Sequence, residues 1–546
     1  WGLGMRLDSV QSFPWMITMG AIQDTNLIYE FGVEVARQLK ALGLHINFAP
    51  VLDVNNNPKN PIIDRRSFGS DPMNVYSKGY AYMRGLQDNN IVSCGKHFPG
   101  HGDTNTDSHI SLPVIYHDRS RLDNVELVPF KKLIKKGLAS IMIAHINLPF
   151  IDTLQVPATF SKKIIQEILK KDMKFNGLVI SDALNMGALS MYSVPGEVEL
   201  NAFLSGNDVL LCPDNISESI ELIKDKVKSD STLLKQLNVS CKKNLMIKKW
   251  SGVFDKLSSD QPTDLINEQS ELLNKKLFKN ALTVLKNSDD IIPLIDLDTT
   301  NLAYVEFGND NGDIFYNRLN NYVHVNKYAV SSSYSDIDFF LEELRKYDIV
   351  IVGLHYSNQN FWDKHVVLEK EKLLLSKLCS QNKVLVNIFG HPQLLNFIPD
   401  DVDGVVLSYQ NSNVAQDLTA QLNFGSISAS GRLPVSTNKF DCGSGFDLES
   451  TREFEFVMPL EVGVNQDTLL RIDTLVHASI KDKVMPGCQI VASRYGKVFY
   501  NKTFGYHTYD SVRLVGDSDL YDIASITKIA SAAPIMMEMI DRKLIK

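Results

Sequence analysis

Cysteine is scarce in this sequence of 546 residues: six, at Cys94, Cys212, Cys241, Cys379, Cys442 and Cys488, scattered and without a CxxC pair. That spacing offers neither a zinc ligand set nor a disulfide framework. Long apolar runs are missing too. None approaches the ~18 residues of a membrane-spanning helix, and mean hydropathy is slightly negative, so no transmembrane segment is expected. Basic charge is not in surplus: 56 Lys and Arg against 64 Asp and Glu leave a net charge of −8. This is the wrong sign for a nucleic-acid or anionic-membrane surface, which needs clustered positive charge. None of the strands predicted over residues 280–437 leads into GxGxxG or GxxxxGK[ST], so a nucleotide role has little support there. There is no internal repeat and no low-complexity tract. The sequence opens at Trp1 without an initiator Met or a basic and then apolar leader, and ends at Lys546 inside a predicted helix. It reads as a piece of a longer protein, and no targeting signal is read from it.

What is present is globular composition, 44% hydrophobic and 22% charged. At one domain per ~150 residues this length suggests roughly three to four domains. Residues 1–215 alternate β-branched runs with amphipathic stretches. HINFAPVLDV, NIVSCGKHF, SIMIAHINL, GLVISDAL and NDVLLCP read as buried strands. Between Asp24 and Gly43, Leu27, Phe31, Val35, Leu39 and Leu42 share one helical face, and Gly43 is placed to end it. Repeated strand-helix units give a parallel sheet covered by helices, and five or more favour a (β/α)8-type TIM barrel over an open sheet. Asp53, Lys96, His97, His145 and Asp182 all fall at the C-terminal ends of these strands. Active sites of both architectures lie on that face.

Residues 216–279 read as a Lys-rich helical connection. Residues 280–437 form a second α/β unit, with strands ALTVLKN, LAYVEFG, YDIVIVGL, KVLVNIFG and DGVVLSY and a helix at DIDFFLEELRKY. Residues 438–465, with CGSG and scattered charge, read as a linker. Residues 466–546 follow with a helix, a hairpin turning at Gly496, and a helix opening near ASITK.

The densest chemical feature is KHFPGHGDTNTDSH, Lys96 to His109. His97 and His101 are split by Pro-Gly, which denies them the helical i, i+4 geometry of a zinc-binding HExxH, so no metal is assigned. Asp107 and His109 are two apart, a spacing that lets a loop aim both side chains together as a His-Asp dyad. The competing reading is that Asp103, Thr104 and Asp107 only form Asx and ST turns. Asp182, in ISDALNMGAL, is either the N-cap of a following helix or an ionised carboxylate on the catalytic face. Asp53 and Asn55 to Asn57 read as turn formers. His145 reads as a pocket or structural histidine, and His324, His355, His365, His391, His477 and His507 belong to no pattern.

The strings MGAIQD, LGLHINFAPVLDVNNNPKNPII, RRSFG, KHFPGHGDTNTDSH and SDALNMGAL resemble, in order and register, the β-N-acetylglucosaminidases of glycoside hydrolase family 3 that serve peptidoglycan recycling. ALTVLKNSDDIIPL and FGSISASGRLPVS are similar to that family's C-terminal α/β sandwich. The resemblance implies a TIM barrel with its first strand missing, since the family's further sugar-binding Asp would precede Trp1. It implies Asp182 as nucleophile, His109 as acid/base with Asp107 as partner, and Arg66, Lys96 and His97 as sugar contacts. It implies no cofactor. Ala183 replaces an acidic residue frequent after the nucleophile. The implied substrate is GlcNAc-containing muropeptide or chitooligosaccharide.

Histidine, with an ordinary pKa near ~6.5, can donate a proton at neutral pH in a retaining mechanism, and it does not repel phosphate. A β-N-acetylglucosaminide phosphorylase is therefore an alternative. Others are a β-glucosidase, which usually draws its acid/base carboxylate from the sandwich, and a catalytically dead sugar-binding protein. Finally, Ser525 and Lys528 in ASITK form S-x-x-K, a nucleophile beside an amine. The surrounding order resembles the start of a truncated serine β-lactamase-like α+β domain, whose later YxN-type and KTG-type elements would lie beyond Lys546. This fusion and a cell-wall substrate imply an extracytoplasmic, periplasmic or lipoprotein location.

Overall fold

In the computed structural model the described residues are 2–8, 10–192, 194–255, 265–329, 337–356, 367–451 and 454–545. Trp1 and His365 lie outside them. Four parallel strands, β1 (Ile46–Asn47), β2 (Val92–Phe98), β3 (Ser140–Ile143) and β4 (Leu178–Ser181), pair in chain order. Val209 bridges Ile180 in parallel as the beginning of a fifth. β3 and β4 are buried along their whole length, as apolar-run strands covered on both faces should be. The predicted helix forms over Thr25–Ala41: the Asp24 carboxylate accepts the Asn26 N–H at 2.9 Å, and Gly43, at φ +68°, follows its end.

The barrel expected without its first strand is represented among the described residues by an open ladder of β1 to β4 and the Val209 bridge. Their ladder runs linearly from β1 to Val209, and no ladder joins its two ends. Five short strands cannot turn through the circle that eight need, and Leu42, Leu44 and Ile46 at the β1 edge stay 39–46% exposed. HINFAPVLDV keeps only β1 and a bridge at Val51, because Pro50 has no N–H to give a ladder. NDVLLCP shrinks to the Val209 bridge.

Helices Ile216–Ser229, Ser231–Trp250 and Glu268–Ala281 lead to the second sheet. It contains β5 (Thr283–Asn287), β6 (Leu302–Gly308), β7 (Asn326–Ala329), β8 (Ile349–His355), β9 (Lys383–Phe389) and β10 (Gly404–Leu407), in the order β5-β10-β9-β8-β6-β7. β5 alone runs antiparallel. The predicted helix near residue 340 is Ile337–Leu344.

Residues 438–451, expected to begin a linker, are folded instead. Phe446 bridges Val284, Leu448 bridges Ala429, and Phe440 packs on the core. The apolar side chains dispersed among Gly and charge give this strap something to bury, and its backbone finds partners. Both sheets and the strap belong to one compact unit, residues 1–319 and 325–453.

The other unit contains residues 320–324 and 454–546. It has β11 (Glu455–Phe456), the helix Gln466–Lys481, and a hairpin of β12 (Gly487–Arg494) and β13 (Lys497–Gly505). Tyr495 and Gly496, at φ +55° and +74°, make its turn, and Val476, Tyr500 and Phe504 its small core. Helical segments Ala524–Ile526, Lys528–Ala532 and Ala533–Asp541 end it. Among the described residues no helix is long and apolar enough to cross a membrane.

Candidate active site

The site begins with a carboxylate that the sequence reading gave to a turn. Asp53 is fully buried. Its Oδ2 accepts from His97 Nδ1 at 2.7 Å, Oδ1 accepts the His101 N–H at 2.7 Å, and the His97 N–H lies 3.2 Å from both oxygens. Burial alone would raise this carboxyl, but His97 and His101 outweigh it and hold it below the ordinary carboxylate value. A buried charge is tolerable only with such partners. The available sequence signal was an Asp amid apolar PVLDV, which demands a partner.

With its proton on Nδ1 facing Asp53, His97 has a free lone pair on Nε2, which accepts from Arg66 Nη2 at 3.2 Å. Arg66 lies on the turn Asp64–Arg66, and its Nη1 also donates to Ile62 O at 3.3 Å. Lys96, half-buried one residue before His97 on β2, is pushed down to about 8, first by burial and then by Arg66. Among the described residues no protein group pairs with its ammonium.

The loop after β2 is braced internally. His101, buried and pushed down to about 4 by desolvation, bonds through Nδ1 to Thr104 Oγ1 at 2.8 Å and through Nε2 to Ser108 Oγ at 3.2 Å. Gly102 passes so close to Val54 that a Cβ would lie 1.8 Å from its carbonyl oxygen. At the loop's end Asp107 makes two hydrogen bonds to His109. Its Oδ1 accepts the His109 N–H at 2.7 Å, closing an Asx turn, and His109 Nδ1 at 2.8 Å, forming the dyad. The His109 side chain is 56% exposed and Asp107 17%, so the ring presents Nε2 outward with its partner behind it.

Asp182 follows β4. No helix starts there, so the N-cap reading is replaced by a carboxylate whose Oδ1 accepts, among the described residues, the Ala183 N–H at 2.9 Å. Burial would raise it, but His97, His145, that N–H and Lys96 together hold it below the ordinary value. His145 is a fully buried structural histidine. It bonds to Thr159 Oγ1 at 2.7 Å and donates from Nε2 to Ala183 O at 2.9 Å, which fixes the turn beside Asp182. The Asp182 and His109 loops are stitched together: Gly187 N donates to His109 O at 3.2 Å and Ala188 N to Ser108 O at 3.1 Å. A Cβ on Gly187 would lie 2.4 Å from His109 O.

Arg66, Lys96, His97, His109 and Asp182 line one cavity of about 1230 Å³. It brings a carboxylate, an imidazole with a carboxylate behind it, the Arg66 and Lys96 nitrogen donors and the His97 ring to one opening, a set suited to glycosyl transfer through paired nucleophile and proton donor. Among the described residues no three His, Cys, Asp or Glu side chains are placed to hold a metal. In the other unit, Lys528 Nζ donates to exposed Ser525 Oγ at 3.2 Å.

Residues 1–245 match the glycosyl hydrolase family 3 N terminal domain. The chain is 32% identical over 282 residues to beta-hexosaminidase A of Pseudoalteromonas piscicida, covering 48% of this chain and 47% of that protein. It is 36% identical over 220 residues to a beta-hexosaminidase of Nitrosomonas eutropha, covering 39% and 62%. The chain thus spans less than two thirds of these curated relatives. A solved family 3 beta-N-acetylglucosaminidase from Paenibacillus sp. is 27% identical, with a TM-score of 0.63 over 79% of this chain and 84% of that one. A Listeria innocua beta-glucosidase, 20% identical with a TM-score of 0.66 over 78% of this chain and 63% of its own, shares the fold.

Proposed function

We propose that this chain carries a retaining, exo-acting β-N-acetylglucosaminidase built on a TIM-type barrel, and that it releases terminal β-linked GlcNAc from muropeptides derived from peptidoglycan. The observation that carries the reading is the placement of Asp182 and the Asp107-backed His109 on one cavity with Arg66, Lys96 and His97. In the first step the Asp182 carboxylate bonds to the anomeric carbon, the glycosidic C–O bond breaks, and His109 gives its proton to the departing oxygen. In the second, His109 takes a proton from water as the water oxygen replaces Asp182, restoring both groups. Asp107 orients the imidazole through the 2.8 Å hydrogen bond to Nδ1. Lys96, His97 and Arg66 hold sugar hydroxyls. A cell-wall substrate goes with residence outside the cytoplasm, which fractionation of source cells tests.

The test is product analysis on aryl β-GlcNAc, aryl β-glucoside and a muropeptide, with and without phosphate. Free GlcNAc in both buffers supports the reading; GlcNAc 1-phosphate overturns it for a phosphorylase, and preference for the glucoside for a β-glucosidase. Asp182→Ala is expected to abolish turnover, and a 2-deoxy-2-fluoro or equivalent glycosyl adduct mapped to any other residue overturns the nucleophile.

The 3.2 Å contact of Lys528 with Ser525 favours a second, separate reading for residues 466–546: an acyl-transfer site with Ser525 as nucleophile and Lys528 as its base. A fluorophosphonate or β-lactam probe bound to Ser525 in the native protein supports it, and absence of labelling overturns it.

A further inference from the structure

The cavity wall that holds Arg66 continues into a tryptophan. Trp15 lines the same cavity and is only 8% exposed, so nearly all of its surface is committed to neighbours. Its backbone N–H donates to Gln410 Oε1 at 2.7 Å, and the same oxygen accepts from Thr18 Oγ1 at 2.9 Å. Gln410 follows β10, so the start of the helix Met16–Gly20 is held from the second sheet. Trp15 packs with Ile17 and Val435, and the Arg65 guanidinium lies over its ring, 4.2 Å from the centroid. Arg65 immediately precedes Arg66 on the turn Asp64–Arg66. Asn74 Nδ2 ties the far end of the helix to the segment after this turn, donating to Gly20 O and to Phe68 O, each at 3.0 Å. The tryptophan and the arginine share one braced wall.

What that wall leaves open is the indole N–H. Nε1 is a donor only, and a buried indole nitrogen ordinarily finds an acceptor. Among the described residues no group accepts from Trp15 Nε1, yet the nitrogen is not sealed off from solvent. The opening that Trp15 borders is the cavity. With Arg65 over one face of the ring and the backbone held by Gln410, the N–H is a donor already in place, and a ligand that meets it does not have to order it. Arg66, Lys96 and Trp15 Nε1 are then donors around one space, which suits a ligand rich in acceptor oxygens.

We propose that Trp15 is a further sugar contact, its indole N–H donating to an acceptor oxygen of the terminal sugar. Its place beside the Arg65–Arg66 pair favours that sugar over the departing one. This rests on the reading of the cavity as the sugar site.

The test is a cycle between protein and ligand, run on the intact protein. Inhibition constants are measured for GlcNAc, for its 3-, 4- and 6-deoxy analogues and for 2-deoxyglucose, which lacks the acetamido group. The proteins are the parent, Arg66→Ala and Trp15→Phe, which keeps an aromatic ring beneath Arg65 but has no N–H. Losing one neutral hydrogen bond is expected to raise the Trp15→Phe inhibition constant for GlcNAc about three- to tenfold. For one analogue the difference between parent and Trp15→Phe should vanish, because that ligand has already lost the partner oxygen. A second readout uses the parent alone: the sequence has four tryptophans, and the Trp15 indole N–H signal in a nitrogen-15 NMR spectrum should move when GlcNAc saturates the protein. That signal is identified by its loss in Trp15→Phe or, should this variant not fold, by replacing the other three tryptophans singly. An equal loss for every ligand marks a packing role and overturns the proposal, as does a Trp15 signal that GlcNAc leaves unmoved. If Trp15→Phe binds GlcNAc as the parent does and slows only a disaccharide, the indole meets the departing sugar and the proposal is wrong. If Arg66→Ala weakens GlcNAc binding and Trp15→Phe does not, the Trp15 contact fails and the sugar-site reading survives; if Arg66→Ala binds GlcNAc as the parent does, that reading fails.

Discussion

Asp107→Asn separates a catalytic dyad from a loop turn. Asn is nearly isosteric and its Oδ1 can still accept both His109 hydrogen bonds, of 2.7 and 2.8 Å, so the loop and the ring keep their places. What changes is the acceptor behind the ring: a charged carboxylate oxygen becomes a neutral amide oxygen, which makes the weaker hydrogen bond. At 2.8 Å a full charge pair at an effective dielectric of 20 would be worth about 6 kcal/mol. The ring is more than half exposed, and solvent screening cuts such pairs to about 1–2 kcal/mol. That corresponds to a loss of about 5- to 30-fold in a step limited by proton donation. The assay is kcat/KM across aryl β-GlcNAc substrates of graded leaving-group pKa, extended to a disaccharide. Dinitrophenolate needs almost no proton and should lose about twofold or less, whereas the disaccharide should show the full loss. A steeper dependence on leaving-group pKa in the variant is the expected signature. Equal slowing of all substrates would refute the reasoning and leave Asp107 as a turn former.

Asp53→Asn should destabilise the fold by about 3–5 kcal/mol in denaturant titration, since it unbalances a fully buried pair; a change under about 1 kcal/mol would show the pair to be dispensable. The ammonium of Lys96, pushed down to about 8, should lose its proton as pH rises through that value, so kcat/KM falls there. Lys96→Met should remove this limb along with much of the affinity, and a limb that persists refutes the assignment. Because Lys96 in the fold gives up its proton below its ordinary value of 10.5, the unfolded chain binds more protons between about 8 and 10.5, and this group's contribution to stability should rise with pH across that window. Gly187→Ala places a Cβ 2.4 Å from His109 O, so it should lower kcat on the disaccharide by at least about tenfold through displacement of the acid/base loop; full activity would mean that the two loops are not coupled in solution.

The sequence by itself determined the local elements and the parts list of the site. Periodicity and end signals placed the helix Thr25–Ala41 and the hairpin turn at Tyr495 and Gly496 within a residue or two. This worked because caps and positive-φ glycines are local physics. The loop from Lys96 to His109 and Asp182 at a strand end were legible because polar groups interrupt apolar runs there. Tertiary structure alone decided the rest. Asp53 looks like a turn former until three distant N–H groups close on it. Phe446 and Leu448 look like linker residues until Val284 and Ala429 offer their backbone. His391 belonged to no pattern, since Asp64, the carboxylate 2.8 Å from its Nε2, lies 327 positions earlier. Whether the parallel ladder closes was equally illegible, because closure depends on how many strands share the circle and not on the pattern within any one of them.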